Sequence, residues 1–299
     1  MSETPAAPPA ASDRVRSPES VGTVREPPVQ SPLDRLWALD FGPWTYAQKV
    51  VALTEVEVRK LLHDQWDIVT RSIQPVLWLL LFGGVFGRLR VLPAGMGSYL
   101  DFVAPGILAQ SVLTIAIFQG IMVIWERDQG SLQKYLVSPM PRSALVLGKG
   151  LGSGMRGALQ ALAITILAAI MGVHVNLNPL AWLGILLAIF LGANVFSTVS
   201  LIIASLVRNR ERVQGLGQLI LMPLFFASNA LYPVAIMPPY VSTLATLNPL
   251  SYMVDALRDL MIVGGALSHF GLPVDYAVLL AVNVALVGLA ARLYPRVVQ

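Results

Sequence analysis

Side chains that commonly perform chemistry are sparse in this sequence. It contains no cysteine, which excludes disulfides, thiolate metal sites and a cysteine nucleophile. The three histidines, His63, His174 and His269, lie far apart and predict no shared metal site. The patterns H-E-x-x-H and G-x-S-x-G are absent, and in the only Gly-Lys pair Lys149 is followed by glycine, not by the hydroxyl residue of a phosphate-binding loop. We therefore expect no catalytic residue, no metal and no cofactor bound by this chain.

The composition predicts a membrane protein. The 299 residues are 55% hydrophobic and 13% charged, with a mean hydropathy of +0.66, whereas soluble domains carry about 25% charged residues. Secreted enzymes, cytosolic enzymes and disordered proteins fit these values poorly. A net charge of +4 over this length gives little support for nucleic-acid binding. An all-α polytopic membrane protein remains, because helices satisfy the backbone hydrogen bonds of an open chain in lipid.

Six apolar stretches are long enough, or nearly so, to cross a hydrocarbon core as helices. With a cytoplasmic N-terminus, only Arg88, Arg90 and Arg258 of the 21 lysines and arginines fall outside the cell. The positive-inside rule then predicts an even number of spans and both termini in the cytoplasm. A different number of spans is the alternative, and the first span is the least well supported of the six predictions. The predicted spans are about 71–88, 100–125, 144–173, 180–207, 213–232 and 273–291.

Two segments precede the first predicted span. Residues 1–44 are rich in proline and lack an apolar core, which predicts a disordered cytoplasmic tail and not a signal peptide. Tyr46–Thr70 places apolar residues at helical spacing beside a charged face. This pattern predicts a helix lying at the cytoplasmic membrane interface, with a cytoplasmic helix that does not touch the membrane as the alternative.

A further amphipathic helix is predicted at 249–263, before the last span. Asn248 is a good N-cap, and Pro249 suits the first helical position. The helix is too short to cross a membrane, so we expect it to be re-entrant or to lie on the external surface. Asp255 and Arg258 are three residues apart on its polar face and can pair.

Polar and small residues within the spans predict helix packing, not ion coupling. No ionisable residue lies at mid-depth, where a proton or ion pathway would need one, so energy should come from outside the chain. The G-x-x-x-G spacings at 83–87, 148–152 and 150–154 favour close helix packing. The ordinary role of neutral amides in spans is hydrogen bonding between helices; here they are Gln110, Gln119, Gln160, Asn194, Asn229 and Asn283.

The connection between the second and third spans carries the most distinctive pattern. Residues 126–142 read E-R-D-Q-G-S-L-Q-K-Y-L-V-S-P-M-P-R. Gly130 should end the preceding helix, and a short helix should follow with Leu132, Tyr135 and Leu136 on one face. This compact connection, with an apolar face and charged residues around it, suits docking into a groove of a partner protein. An ordinary solvated loop is the alternative.

Residues 126–139, followed by L-G-K at 147–149, resemble the corresponding connection in permeases of ATP-binding-cassette exporters. More narrowly, they resemble the type-2 exporter permeases that include the daunorubicin-resistance permeases. Ser131 and Gln133 replace the threonine and glutamate expected there, and both changes are mild.

A second block strengthens this resemblance, which covers about residues 45–295. It comprises S-N-A-L-Y-P at 228–233, M-P at 237–238 and N-P-L-S-Y-M-V-D-A-L-R at 248–258. Two ordered motifs on opposite sides of six predicted spans make the family assignment specific. Neither motif specifies a substrate.

The resemblance implies a half-transporter in the cell membrane of a bacterium. Two permease copies, forming a homodimer, would work with two copies of an ABC ATPase that binds ATP and Mg²⁺. Segment 126–139 would be the coupling helix that receives motion from the ATPase. The coupling residues implied are Glu126, Arg127, Gln129, Gly130, Leu132, Tyr135, Leu136 and Pro139.

In this family the substrate path lies near the first, second and fifth spans. Aromatic and methionine side chains there suit bulky amphiphiles, although Phe225 and Phe226 facing lipid or packing between helices is the alternative. The substrate-path candidates are Gln110, Gln119, Met222, Phe225, Phe226 and Asn229. The candidates for an external gate are Asn248, Pro249, Tyr252, Asp255 and Arg258.

Three functions follow as hypotheses. The first is a permease that exports a drug or lipid, powered by a separate ATPase. The second keeps this architecture and exports a polysaccharide or lipid-linked glycan. The third is an integral-membrane enzyme acting on lipid, for which the candidate groups are Asp255, Arg258, Asp259 and His269.

Overall fold

The computed structural model describes residues 42–63, 65–86, 98–130, 141–207, 209–263 and 268–293. Most of the predicted tail and residues 131–139 of the predicted coupling helix lie outside these ranges. The described residues form α-helices, one short 3₁₀ turn at Val234–Ile236 and no strand, which confirms the all-α prediction. The helices are α1 (Pro43–His63), α2 (Gln65–Phe86), α3 (Tyr99–Asp128), α4 (Arg142–Ile170), α5 (Pro179–Leu206), α6 (Arg210–Phe226), α7 (Pro239–Leu247), α8 (Pro249–Met261) and α9 (Leu272–Leu293).

Four helices of the described chain are long and apolar enough to cross a membrane, namely α3, α4, α5 and α9. They coincide with the second, third, fourth and sixth predicted spans, and the chain is a polytopic membrane protein. The helices α2 and α6 occupy the first and fifth predicted spans but do not meet the same standard over their described residues. The total of six spans therefore stays a prediction.

The fifth predicted span, 213–232, differs from the structure at its end. The helix stops at Phe226, where the chain turns. Ser228 donates its hydroxyl to the carbonyl of Phe225 at 2.7 Å, and the hydroxyl of Tyr232 donates back to the carbonyl of Phe226. Such side-chain bonds to the backbone compete with helix continuation, and apolar sequence alone does not reveal them.

The predicted interfacial helix is divided in the structure. It forms α1, which ends at His63, while Gln65 already belongs to α2. One face of α1 packs on α4, and its buried residues recur three or four positions apart, as helical periodicity requires. These buried residues are Val50, Leu53, Glu57 and Leu61.

The central helix of the fold is α3. It is buried on almost every side because α2, α4, α5, α6 and α8 all pack against it. Its continuously apolar sequence is typical of a helix surrounded by other helices. Val112 and Ile117 of α3 and Phe196 of α5 belong to the main hydrophobic core.

The amides of α5 and α9 join these two helices. Asn194 donates from Nδ2 to Oδ1 of Asn283 at 2.8 Å, and Asn283 donates to the carbonyl of Leu191 at 3.2 Å. This confirms hydrogen bonding between helices as the interpretation of Asn194 and Asn283.

Glycines on α4 let two helices approach closely from different sides. Gly148 and Gly152 face α1, where a Cβ would meet Leu53 and Glu57 respectively. Gly150 and Gly154 face α5. This glycine seam confirms the packing role predicted from the G-x-x-x-G spacings at 148–152 and 150–154.

Replacing Gly150 by alanine should lower the free energy of unfolding by about 1–3 kcal/mol, as expected for an overpacked contact. The new methyl group would overlap Oδ1 of Asn194 and disturb its bond to Asn283. Gly215→Ala is the matched control, because no atom lies within 4 Å of a Cβ there. The measurement is thermal unfolding in detergent, and equal effects of the two substitutions would contradict the packing role.

The helix α8 is more enclosed than the sequence predicts. It begins at Pro249 with Asn248 as N-cap, as expected: Oδ1 of Asn248 accepts from the amide of Leu250 at 3.0 Å. Ten of its 13 residues are buried against α3, α5 and α9. Asp255 and Arg258 therefore do not form an exposed polar face, and the alternative of a helix lying on the surface does not describe α8.

Candidate functional site

Charged side chains from α1, α3 and α4 meet at one end of the described helices. Two carboxylates and three cations are brought together with one amide. Each of these groups contacts at least one other member. We call this group the Glu126 cluster; it contains Glu57, Lys60, Gln119, Glu126, Lys149 and Arg156.

Lys60 and Lys149 bridge the two carboxylates of the Glu126 cluster. The Nζ atom of Lys60 lies 2.9 Å from Oε1 of Glu57 and 2.9 Å from Oε1 of Glu126. Lys149 donates to Oε2 of Glu126, and its Nζ lies 4.0 Å from Oε1 of Glu57. The last turn of α3 is thereby joined to both α1 and α4.

The second oxygen of Glu57 also has partners. Gln119 donates from Nε2 to Oε2 of Glu57 at 2.8 Å, and Nη1 of Arg156 lies 3.3 Å from the same oxygen. The Glu57 side chain is only 5% exposed. Its buried charge is tolerated because hydrogen bonds and cations surround both oxygens.

The cations control the ionisation of Glu57. Burial by itself would raise the pKa of Glu57, but Lys149, Lys60 and Arg156 hold the pKa below its ordinary value. Burial also opposes the charge on Lys60, yet Glu57 and Glu126 raise the pKa of Lys60 above its usual range. Glu57 and Lys60 are therefore both charged at neutral pH.

Acidification should destabilise the folded protein through Glu57. Because its pKa is lower in the folded than in the unfolded chain, its ionised form stabilises the folded state above the ordinary pKa of 4.5. That contribution is lost as the pH falls below 4.5 through the folded pKa. Unfolding midpoints measured in detergent on either side of this value should depend less on pH in Glu57→Gln than in the unsubstituted protein. Glu55→Gln, at a largely exposed position of α1, is the control, and equal pH dependence in all three proteins would contradict the expectation.

The predicted coupling residues are only partly described. Glu126 lies inside the Glu126 cluster and not on an exposed surface, whereas Arg127 pairs with Asp128 at 3.0 Å. Gln129 caps α3, and Gly130 has a φ of +72°, a conformation that glycine adopts without strain. The remaining candidates, Leu132, Tyr135, Leu136 and Pro139, lie outside the described residues.

A second polar group surrounds Asp255 at the opposite end of α3. The carboxylate accepts the backbone amides of His269 and Phe270 at 2.7 Å each and the Nδ2 group of Asn229 at 3.2 Å. Nη1 of Arg258 lies 3.6 Å from Oδ1, which confirms the predicted pairing. We call Asn229, Asp255 and Arg258, with the two backbone amides, the Asp255 cluster.

Arg258 connects the Asp255 cluster to α3. Its side chain is 1% exposed and donates to the carbonyls of Phe102 and Asn229 at 3.3 and 2.8 Å. Its guanidinium carbon lies 3.9 Å from the centroid of the Phe102 ring, within cation–π range. The arginine therefore joins α8, α3 and the turn after α6.

Two other external-gate candidates, Asn248 and Tyr252, fix the N-terminal end of α8. Asn248 donates from Nδ2 to the carbonyl of Leu224 at 2.6 Å, and the hydroxyl of Tyr252 donates to the carbonyl of Thr246 at 2.7 Å. The Tyr252 ring stacks on Phe270 with centroids 4.6 Å apart. These contacts attach α8 to its neighbours through backbone groups, which is a positioning role.

The structure does not bring the six substrate-path candidates together. Gln119 belongs to the Glu126 cluster and Asn229 to the Asp255 cluster, because both amides find charged partners at opposite ends of the fold. Phe225 is buried edge-on against Trp78. The side chains of Met222 and Phe226 are partly exposed, which fits the alternative of a lipid-facing position for Phe226.

Gln110 lines a cavity. This cavity has a volume of about 360 Å³ and lies between α2, α3 and α4. We call it the Gln160 cavity; its lining residues are Thr70, Arg71, Gln74, Pro75, Gln110, Ser111, Thr114, Ile115, Phe118 and Gln160.

Sequence reasoning missed several buried charges. The positive-inside rule places Lys149 among the cytoplasmic basic residues. Its flanking glycines indicate burial, because a residue within a close-packed contact between helices is itself buried. Glu57 gave no comparable signal, because it stands among other charged residues on an amphipathic helix. Asp275 of α9 is also buried, and neither of its carboxylate oxygens has a partner among the described residues.

Comparison with known proteins places most of this arrangement within one sequence family. The family described as ABC-2 type transporter matches residues 48–262, which include the side chains of both clusters. The protein ycf38 of Porphyra purpurea is 28% identical over 222 residues, covering 72% of this chain and 76% of its own length. The inner membrane transport permease YadH of Escherichia coli (strain K12) is 25% identical over 212 residues, covering 70% and 82% of the two chains. The daunorubicin resistance ABC transporter permease protein DrrB1 of Streptomyces coeruleorubidus is 24% identical over 199 residues, covering 67% and 70%.

Proposed function

The chain belongs to the ABC-2 type transporter family, and from this premise we propose that it is the permease subunit of an exporter driven by ATP hydrolysis in a separate ATPase chain. The permease moves a hydrophobic or amphiphilic compound, a drug or a lipid, out across the cell membrane of a bacterium. Two permease copies, forming a homodimer, work with two ATPase copies that bind ATP and Mg²⁺. Both termini and segment 126–139 face the ATPases in the cytoplasm.

The Glu126 cluster is the observation that carries this proposal. Segment 126–139 begins in the last turn of α3, and Glu126 joins this end of α3 to Lys60 on α1 and Lys149 on α4. A displacement of this segment is therefore transmitted to three helices at once. For ATP hydrolysis to drive this displacement, the ATPase must contact the permease differently in its two nucleotide states.

The cargo class is supported by the apolar surfaces and by one relative. DrrB1 is named as a daunorubicin resistance permease, and the face of α2 and α6 near Trp78 and Phe225 is lined by aromatic and aliphatic side chains. Such surfaces suit amphiphiles better than extended hydrophilic chains.

Co-purification of the permease with an ABC ATPase, followed by cargo-stimulated ATP hydrolysis in nanodiscs, tests the proposal. We expect the two chains to copurify and export to require ATP. Export by the permease alone along an ion gradient, or nucleotide binding by the permease itself, would contradict it.

The effect of substituting Gly130 on coupling should depend on whether the new residue tolerates a positive φ. A β-branched residue at a φ of +72° is strained, so Gly130→Val should redirect the chain entering segment 131–139 and reduce both ATPase association and export. Gly130→Asn should retain most of both, because asparagine enters this region more readily. Pull-down and ATP-dependent efflux measure the difference, and equal activity of the two variants would contradict a role for this turn.

A further inference from the structure

The Gln160 cavity lies near the middle of the fold along the axis of α3. Thr114, which lines it, is 12 residues from Phe102 beside the Asp255 cluster and 12 from Glu126. At the rise of an α-helix these separations correspond to about 18 Å each. In a membrane-spanning bundle this is a depth at which polar groups are costly unless they have partners.

One polar group in the Gln160 cavity lacks a partner. Gln160 is 1% exposed, and its Oε1 accepts the hydroxyl of Ser72 at 3.1 Å. Its Nε2 group has no hydrogen-bond partner among the described residues. A buried amide donor without an acceptor carries a large desolvation cost, so its position favours an acceptor atom inside the cavity.

Other lining groups favour an anionic acceptor. Arg71 contributes a guanidinium group, which lies 5.9 Å from the centroid of the Phe118 ring. The hydroxyls of Ser111 and Thr114 donate to carbonyls of their own helix. These hydroxyls are therefore not donors to the cavity. The described lining residues include no acidic side chain, so the cavity is lined by side-chain amides and one positive charge.

Apolar surface adjoins these polar groups. Ile115, Phe118 and Pro75 line the other part of the cavity. Ile73 and Leu77 of α2 are 55% and 51% exposed on the same helix as Arg71. The arrangement matches a molecule with a polar head and an apolar chain.

We propose that the Gln160 cavity binds the anionic, oxygen-rich headgroup of an amphiphile, such as a phosphate ester. Nε2 of Gln160 and the guanidinium group of Arg71 are its donors, while the chain of the amphiphile lies along α2. A volume of about 360 Å³ is near the lower end of small-molecule sites, which suits a headgroup. As a statement about the exporter's cargo this rests on the proposed function, but the binding event requires neither ATP nor a partner.

The test measures binding to the purified full-length permease without the ATPase. Dodecyl phosphate, dodecyltrimethylammonium and inorganic phosphate are titrated separately, with native mass spectrometry or calorimetry as the readout. We expect dodecyl phosphate to bind at least about tenfold more tightly than either of the others. Equal affinity for the cationic amphiphile, or equal affinity for inorganic phosphate, would overturn the proposal of an anionic amphiphile site.

Variants locate the site. Gln160→Leu and Arg71→Gln should each weaken binding of dodecyl phosphate at least about tenfold, and Arg71→Lys should weaken it less. Arg212→Gln, at an exposed position on α6, is the matched control and should bind as the unsubstituted protein does. Unfolding midpoints identify variants that fail to fold, and unchanged binding in folded Gln160→Leu and Arg71→Gln would overturn the assignment. A normal binding pattern without ATP-driven export would contradict the proposed function and leave this inference standing.

Discussion

Replacing Asp255 by alanine is expected to lower the free energy of unfolding by about 3–5 kcal/mol, because one partner of a buried ion pair is removed. Asp255 and Arg258 are 0% and 1% exposed. The substitution would leave the guanidinium group without its carboxylate and the backbone amides of His269 and Phe270 without their acceptor. The measurement is denaturant or thermal unfolding of the purified protein in detergent.

Two further substitutions make this expectation specific. Asp259→Ala, on the same helix at a less buried position, should lower the free energy of unfolding much less. Adding Arg258→Met to Asp255→Ala should recover part of the loss, because the unpaired charge is removed as well. A loss in Asp255→Ala no larger than that in Asp259→Ala would contradict the structural role of the pair.

Removing the charge of Glu126 is expected to lower ATP-driven export at least about tenfold. In Glu126→Ala, Lys149 and Lys60 each lose one of their two carboxylate partners, so the end of α3 is no longer joined to α1 and α4 through this carboxylate. The ATPase would still hydrolyse ATP, but its motion would reach fewer helices. Export into proteoliposomes and ATPase pull-down are the measurements.

The structure extends this expectation to a residue distant in sequence. Lys149→Met should impair export as Glu126→Ala does, and the double variant should be impaired by less than the sum of the two, since both act on one contact. Glu55→Gln, at a largely exposed position of α1 outside the Glu126 cluster, is the control and should export normally. Full export in folded Glu126→Ala would contradict the transmission role of the Glu126 cluster.

The long apolar helices were predictable because their periodicity and length are local properties. The sequence placed α3, α5 and α9 within a few residues, and the N-cap at Asn248 marked the start of α8. The end of α6 was not predictable in this way, because a turn held by Ser228 and Tyr232 interrupts an apolar stretch.

The candidate sites were less predictable because they depend on which helices become neighbours. Glu126 and Lys149 are 23 residues apart, and they meet only because α3 and α4 pack side by side. Gln119 and Asn229 are both amides in apolar surroundings, yet tertiary packing gives them different charged partners at opposite ends of the fold. Residue type predicted that these groups would be bonded, whereas only the assembled fold identifies the partner.

The glycine seam of α4 affects how α1 would move if a force acted on it. Gly148 and Gly152 present no side chain to Leu53 and Glu57 of α1, so a lengthwise shift of α1 meets little steric resistance at these two positions. The two glycines are four residues apart, and a shift from one to the next would be about 6 Å. We expect α1 to slide along its own axis, and the ion pairs of Glu57 and Lys60 to hold it in the position seen in this structure.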